Sequence, residues 1–269
     1  MNLSMYQINS FSKEPSGGNP ACVIPLKAWL KDSEMLAIAK KNGLPETAFF
    51  IVEEKAVLLR WFTPEIEMDL CGHATLATAH CLRAHLNYQK KNIVFITNSG
   101  PLNVCFKNGL YELDFPARVG KPAILPVEIA NALNIQPKEI YKARDYLLVY
   151  QSQSEIEALE IARSIFDQIN IDPGGVIVTA PGKDSDFVSR FFTPQASILE
   201  DPVTGSSHCT LIPYWSKKLQ KTLLSAKQLS KRGGEIGCIY KGSRVQINGA
   251  AFTLVYVNAA RGWAYKDKI

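Results

Sequence analysis

Arg60-Trp61-Phe62-Thr63-Pro64 returns as Arg190-Phe191-Phe192-Thr193-Pro194, 130 residues later in a chain of 269. Each copy ends a run of aliphatic and aromatic residues, Ala56–Phe62 and Phe187–Phe192, which reads as a strand stopped at Thr-Pro. An acidic stretch follows each (Glu67, Met68, Asp69; Ile198, Leu199, Glu200, Asp201), then a glycine, Gly72 or Gly205, then apolar residues at helical spacing. One five-residue echo carries little weight. A second matching segment at nearly the same offset makes two similar halves the expectation.

Working outward, helices are expected at Ser33–Asn42, closed by Gly43, at Pro126–Leu133, and at Ser154–Ile165, with Ser154 and Glu157 as a capping box. Strands are expected at Ile93–Thr97, Leu102–Phe106, Tyr111–Phe115, Tyr146–Tyr150, Gly175–Thr179, Arg244–Ile247 and Ala251–Val257. Pro116–Pro126, with three prolines, reads as the linker. The halves are then 1–117 and 118–269, the last strand free to return to the first half.

Composition narrows the function. Thirty Lys+Arg against 25 Asp+Glu leave a net charge of +5, and the lysines are scattered rather than gathered into a stripe, which argues against nucleic-acid binding. The amino terminus carries no signal-peptide pattern, and no apolar run reaches the roughly 18 residues that span a bilayer. The expectation is a soluble cytoplasmic protein without a membrane partner. Six dispersed cysteines without a CxxC pair read as reduced core residues, Cys71 excepted. HExxH, GxSxG, GxGxxG and the P-loop are all missing, so metal, serine-hydrolase and nucleotide chemistry lack sequence support.

Two helix starts after Gly72 and Gly205 suggest a carboxylate cradle where the halves meet, because a helix N-terminus offers unpaired N–H groups and partial positive charge. Each glycine alone could merely permit a turn. Glu46, just ahead of the apolar Thr47–Ile51, is either an exposed turn acid or a half-buried carboxylate suited to proton transfer. Asp201 and Thr204 read equally well as helix caps or as ligands. His73 and His208 lie nearer the cradle than His80 or His85.

The chain resembles the phenazine biosynthesis PhzF-like isomerases, relatives of diaminopimelate epimerase. The resemblance runs through Phe11 with Gly18–Val23, Leu44–Phe49, Asp69–Thr75, Glu200–Ser206 and Gln228–Gly234, and stops after Ala259. It implies an α+β fold of two pseudo-symmetric halves, each a curved, mostly antiparallel sheet around a central helix, with the site between them. It also implies Glu46 as the catalytic carboxylate, and His73, Asp201 and Ser206 as groups that hold and polarise a small carboxylate-bearing substrate. The amides at Gly72-His73 and Gly205-Ser206 would take its carboxylate. No metal or organic cofactor is implied, and a homodimer is. The epimerase relatives place one cysteine on each half; here Cys71 fills the first place and Thr204 the second. A threonine hydroxyl is no base near neutral pH, so a one-base proton shift by Glu46 is expected over a two-cysteine epimerisation. An epimerase using Cys71 and a non-catalytic metabolite-binding protein are the competing readings. Ser207 stands where the family commonly has alanine.

Overall fold

The computed structural model describes residues 3–258 and 262–265. The segment after Ala259, where the resemblance stops, lies largely outside the described residues. No helix among the described residues is long and apolar enough to cross a membrane. The chain divides into two compact units, Met1–Asp114 with Asn248–Ile269, and Phe115–Ile247.

Unit 1 begins with β1 (Met5–Ser10), β2 (Asn19–Leu26), α1 (Asp32–Asn42), β3 (Glu46–Val52), β4 (Val57–Phe62) and β5 (Glu67–Met68). It continues with α2 (Gly72–His85), β6 (Asn92–Thr97), β7 (Gly100–Lys107) and β8 (Leu110–Pro116). Unit 2 holds β9 (Lys121–Pro122), α3 (Val127–Ala132), β10 (Glu139–Lys142), β11 (Tyr146–Val149), α4 (Gln153–Glu157) and α5 (Arg163–Phe166). Then come β12 (Val176–Pro181), β13 (Phe187–Phe192), α6 (His208–Leu219), β14 (Leu223–Gln228), β15 (Gly234–Tyr240) and β16 (Arg244–Gly249). β17 (Ala251–Asn258) and β18 (Gly262–Tyr265) complete unit 1.

The same pairing order is used twice. β1–β2 is antiparallel, β2–β3 parallel, β3–β4 antiparallel and β4–β6 parallel. β10–β11, β11–β12, β12–β13 and β13–β14 repeat that alternation. A terminal strand then guards each outer edge, β17 beside β1 and β9 beside β10. An unpaired strand edge leaves N–H and C=O groups unmet, which explains why residues from 248 onward belong with unit 1. Of the expected range 118–269, the residues from Asn248 onward lie with unit 1, and Pro116–Pro126, read as the linker, falls inside unit 2, where Lys121–Pro122 pairs with β10.

Each unit buries both faces of its sheet. In unit 1, Ile24, Phe49 and Phe62 pack on Met35 and Ala39 of α1. Their alternating neighbours Val23, Ala48 and Trp61 are also buried, on the opposite face, and α2 packs on β1, β2 and β3. Ten of the 14 residues of α2 are buried, and its small Ala and Thr side chains let it sit close to the strands. In unit 2, Val188 and Phe192 of β13 pack with Ile156 and Phe166, whereas Phe187 stacks on Trp215 of α6, 5.7 Å between ring centres. Pro213 lies inside α6 and lacks an N–H; Cys209 O, the carbonyl it would have served, accepts the Arg118 N–H instead (2.8 Å).

The helix expected at Ser33–Asn42 is α1, and Gly43 closes it at φ 62° with its N–H on Ala39 O. The expected capping box lies two residues too late: Ser152 caps α4 and its partner is Glu155. The single helix expected over 154–165 is two short ones, because the chain leaves helical geometry to bridge Ile161 to Leu133. Arg190 Nη1 takes the freed carbonyls of Ile156 (3.0 Å) and Leu159 (2.8 Å).

That contact belongs to the repeated motif. Arg60 grips Glu67 through two N–H···O bonds (2.7 and 2.6 Å), and Arg190 grips Glu200 the same way (2.7 and 3.0 Å). Each guanidinium also lies over the phenylalanine two residues on, 5.2 Å from Phe62 and 4.9 Å from Phe192. Arg190→Ala is expected to destabilise by about 2–4 kcal/mol and Arg60→Ala by about 1–2, because only Arg190 also holds helix-end carbonyls. Urea unfolding measures both; equal losses would remove the capping part of this account.

Candidate active site

In unit 1 four chain segments converge. Glu46 is the first residue of β3, and the parallel register with β2 sets it beside Ala21. Cys71 is the N-cap residue of α2 without a side-chain cap bond, and Gly72 and His73 open the helix. Ser10, at the end of β1, donates to His73 O (2.7 Å), and Asn19, at the start of β2, lies 3.2 Å from His73 Nδ1. Gly18 makes this possible: at φ 71°, a Cβ there would collide with Ser10 O.

His73 turns a different ring nitrogen to each chemical neighbour. Nε2 is 2.9 Å from Glu46 Oε2, an ion-pair distance without good hydrogen-bond alignment, and Nδ1 is 3.6 Å from Cys71 Sγ. Burial pulls the imidazole down from its ordinary 6.5, but the charges and contacts of Cys71 and Glu46 outweigh it and hold His73 well above that value. Burial, with the Glu46 charge adding to it, pushes the Cys71 thiol up to about 11. A thiol at about 11 is roughly one part in 10⁴ ionised at pH 7. A helix N-terminus ordinarily favours thiolate; here desolvation wins.

Glu46, Cys71 and His73 each offer a metal-ligand atom, all within 4.8 Å of one another. The ring orientation suits a relay better than a chelate, since Cys71 and Glu46 face opposite imidazole nitrogens and one ion takes a single nitrogen lone pair.

In unit 2 the turn ahead of α6 carries the other expected residues. Gly205–Ser207 form a tight turn, with His208 N–H on Gly205 O (3.2 Å) and Cys209 N–H on Ser206 O (3.1 Å), so α6 begins at His208, three residues beyond the glycine. Thr204 is buried; its hydroxyl donates to Asp201 Oδ2 (2.5 Å), and its amide donates to Gln228 Oε1 (2.8 Å). Gln228 Nε2 closes the loop on Asp201 O (2.7 Å). Ser206 Oγ accepts from Arg144 Nη2 (3.0 Å).

His208 is fully buried beside Phe187, with Nδ1 2.9 Å from Thr204 O, and burial lowers it to about 4, so it is neutral and structural. His80 and His85 contact Thr253 Oγ1 (3.0 and 2.8 Å). Sequence reasoning named no role for Ser10, Asn19, Arg144, Asp145 or Gln228. Asn19 and Gln228 stood inside the motif stretches. Asp145 repeats the pattern that drew attention to Glu46, an acid immediately ahead of an apolar strand.

A histidine whose folded-state pKa is raised stabilises the fold fully below 6.5, and that contribution is lost as pH climbs through the raised value. The melting-temperature gap between wild type and His73→Gln is therefore expected to be widest near pH 6 and to narrow toward pH 9. A gap that widens with pH would contradict the charged pairing with Glu46.

Comparison with known proteins identifies the family and the fold. Residues 8–256 match the family model PhzC-PhzF, phenazine biosynthesis-like protein. An uncharacterized isomerase of Pseudomonas aeruginosa is 45% identical over 93% of this chain and 96% of its own. The crystal structure of a PhzF-family phenazine biosynthesis protein from Enterococcus faecalis has a TM-score of 0.88 at 42% identity, covering 98% of this chain and 99% of that one. A hydroxyproline epimerase from Agrobacterium vitis has a TM-score of 0.62 at 8% identity, covering 99% and 93%, a likeness of fold alone. The expected α+β, diaminopimelate epimerase-like fold is the fold of this chain. The chain belongs to the PhzC-PhzF family of phenazine biosynthesis-like proteins, among whose members are proteins named as isomerases.

Proposed function

We propose that this protein is an isomerase that moves a proton within a small carboxylate-bearing substrate by one-base catalysis at Glu46, without metal or organic cofactor. The contact that carries the reading is Glu46 Oε2 to His73 Nε2 at 2.9 Å. It holds one oxygen of the carboxylate while the side chain keeps 14% exposure, enough for a substrate to reach it. Glu46 removes a proton from an acidified carbon and returns it to another carbon on the same face. The electron pair moves across the intervening atoms, so a double bond shifts and no proton is gained or lost.

The amides of Gly72 and His73, at the start of α2, suit the substrate carboxylate. Asp201, Gly205 and Ser206 serve the same molecule as binding groups in this reading, and the likeness of the two halves supports including them. Cys71, mostly protonated at neutral pH, is a poor base, and the Thr204 hydrogen is committed to Asp201. Both points weigh against two-base epimerisation. The reading extends to a cytoplasmic homodimer, and sedimentation velocity measures the oligomer.

Incubating the protein with a metabolite extract in heavy water identifies the compound whose carbon-bound hydrogen exchanges. On that compound Glu46→Gln is expected to lose about 10²–10⁴-fold in rate. Cys71→Ala should retain exchange within about tenfold, and dialysis against a chelator should leave it unchanged. Exchange abolished by Cys71→Ala, with inversion of a stereocentre, would establish the epimerase instead. A wild type that binds the compound and never labels it would be a binding protein.

A further inference from the structure

Two serines stand side by side in the turn ahead of α6, and their hydrogen bonds differ. Ser207 Oγ donates to Thr204 O (2.8 Å), which commits its hydrogen. Ser206 Oγ accepts from Arg144 Nη2 (3.0 Å). A guanidinium can only donate, so this contact occupies a lone pair of Ser206 and leaves its hydrogen for another acceptor. Among the described residues Ser206 Oγ donates to none. Donation from a cation also polarises the O–H bond and strengthens it as a donor.

Arg144 is held in place to do this. Its Nε lies 3.1 Å from Asp145 Oδ1 and its Nη2 3.1 Å from Asp145 Oδ2. Asp145 is fully buried, and its Oδ1 also accepts the Gly175 N–H (2.9 Å). The carboxylate thereby anchors the planar fork from one side while Nη2 reaches Ser206 on the other. A lysine, with one compact ammonium, does not reproduce this geometry.

We infer that Arg144 is a positioning residue that turns the Ser206 hydroxyl so that its hydrogen is left for the substrate, whose group meeting this serine is an acceptor oxygen, carboxylate or carbonyl. The inference rests on the isomerase reading, in which Ser206 binds the substrate. It also separates the two neighbours: Ser206 selects the ligand, and Ser207 only ties the turn.

Two measurements test it. Neutron diffraction from wild-type crystals in heavy water locates the Ser206 deuteron, which is expected to point away from Arg144 and toward no protein acceptor. A deuteron donated to a protein oxygen overturns the inference. Kinetics on the exchanging compound then compare Ser206→Ala, Arg144→Lys and the double variant. Arg144→Lys keeps a cation beside buried Asp145, and Ser206→Ala leaves no charge unpaired, so both should fold. Each single variant is expected to raise KM about 10–100-fold with kcat within about threefold, and the double variant should be no worse than Ser206→Ala. Additive losses, or a wild-type KM for Arg144→Lys, overturn it. If wild type labels no compound, the isomerase reading has failed, and the deuteron position alone decides the part played by Arg144.

Discussion

A guanidinium gripping a glutamate across a chain reversal is the contact from which each half is organised. After each Thr-Pro the chain must leave the sheet, turn back and enter a helix. Arg60 with Glu67, and Arg190 with Glu200, pin the returning segment to the strand that sent it out. Phe62 and Phe192 cover one face of each guanidinium, which keeps the fork flat and partly shielded from water. The acidic stretches after the two motifs are thus one half of an ion pair whose other half lies in the motif itself. This is why Arg, Phe and Thr-Pro recur together with the acids.

Both helix entries follow from that reversal, and their chemistry diverges. The first is Cys71-Gly72-His73, where desolvation raises the thiol and the contacts of Cys71 and Glu46 together raise the imidazole. The second is Thr204-Gly205-Ser206, where the side chains are tied to Asp201, Gln228 and Arg144. Reactive side chains gather at one entry and hydrogen-bond anchors at the other. The duplicated backbone therefore carries two different sets of side-chain contacts, with Cys71 and Thr204 marking the divergence.

Much of the fold was legible because its signals are local. The alternation of the hairpin strands and Gly43 closing α1 each depend on residues within a few positions of one another, and the duplicated pentapeptide is readable by matching the chain against itself. The misread helix over 154–165 had a persuasive capping pattern. Its break is imposed from outside, by the Ile161 bridge to Leu133 and by Arg190 taking the carbonyls of Ile156 and Leu159. No window around residue 158 contains that arginine. The second helix start was displaced for a smaller reason: the residues after Gly205 adopt the tighter turn before α-helical spacing begins.

The sequence by itself determined the duplication, the fold class and the residue types offered at the two helix entries, since repetition, periodicity and composition are written along the chain. Only the tertiary structure decided their partners. Ser10 and Asn19 on His73, Gln228 on Thr204, and Asp145 with Arg144 on Ser206 are contacts between segments 24 to 63 residues apart, Arg144-Asp145 themselves excepted. The protonation of Cys71 was likewise a tertiary matter. A thiol at a helix N-terminus reads as reactive until burial and a neighbouring carboxylate raise the cost of its charge.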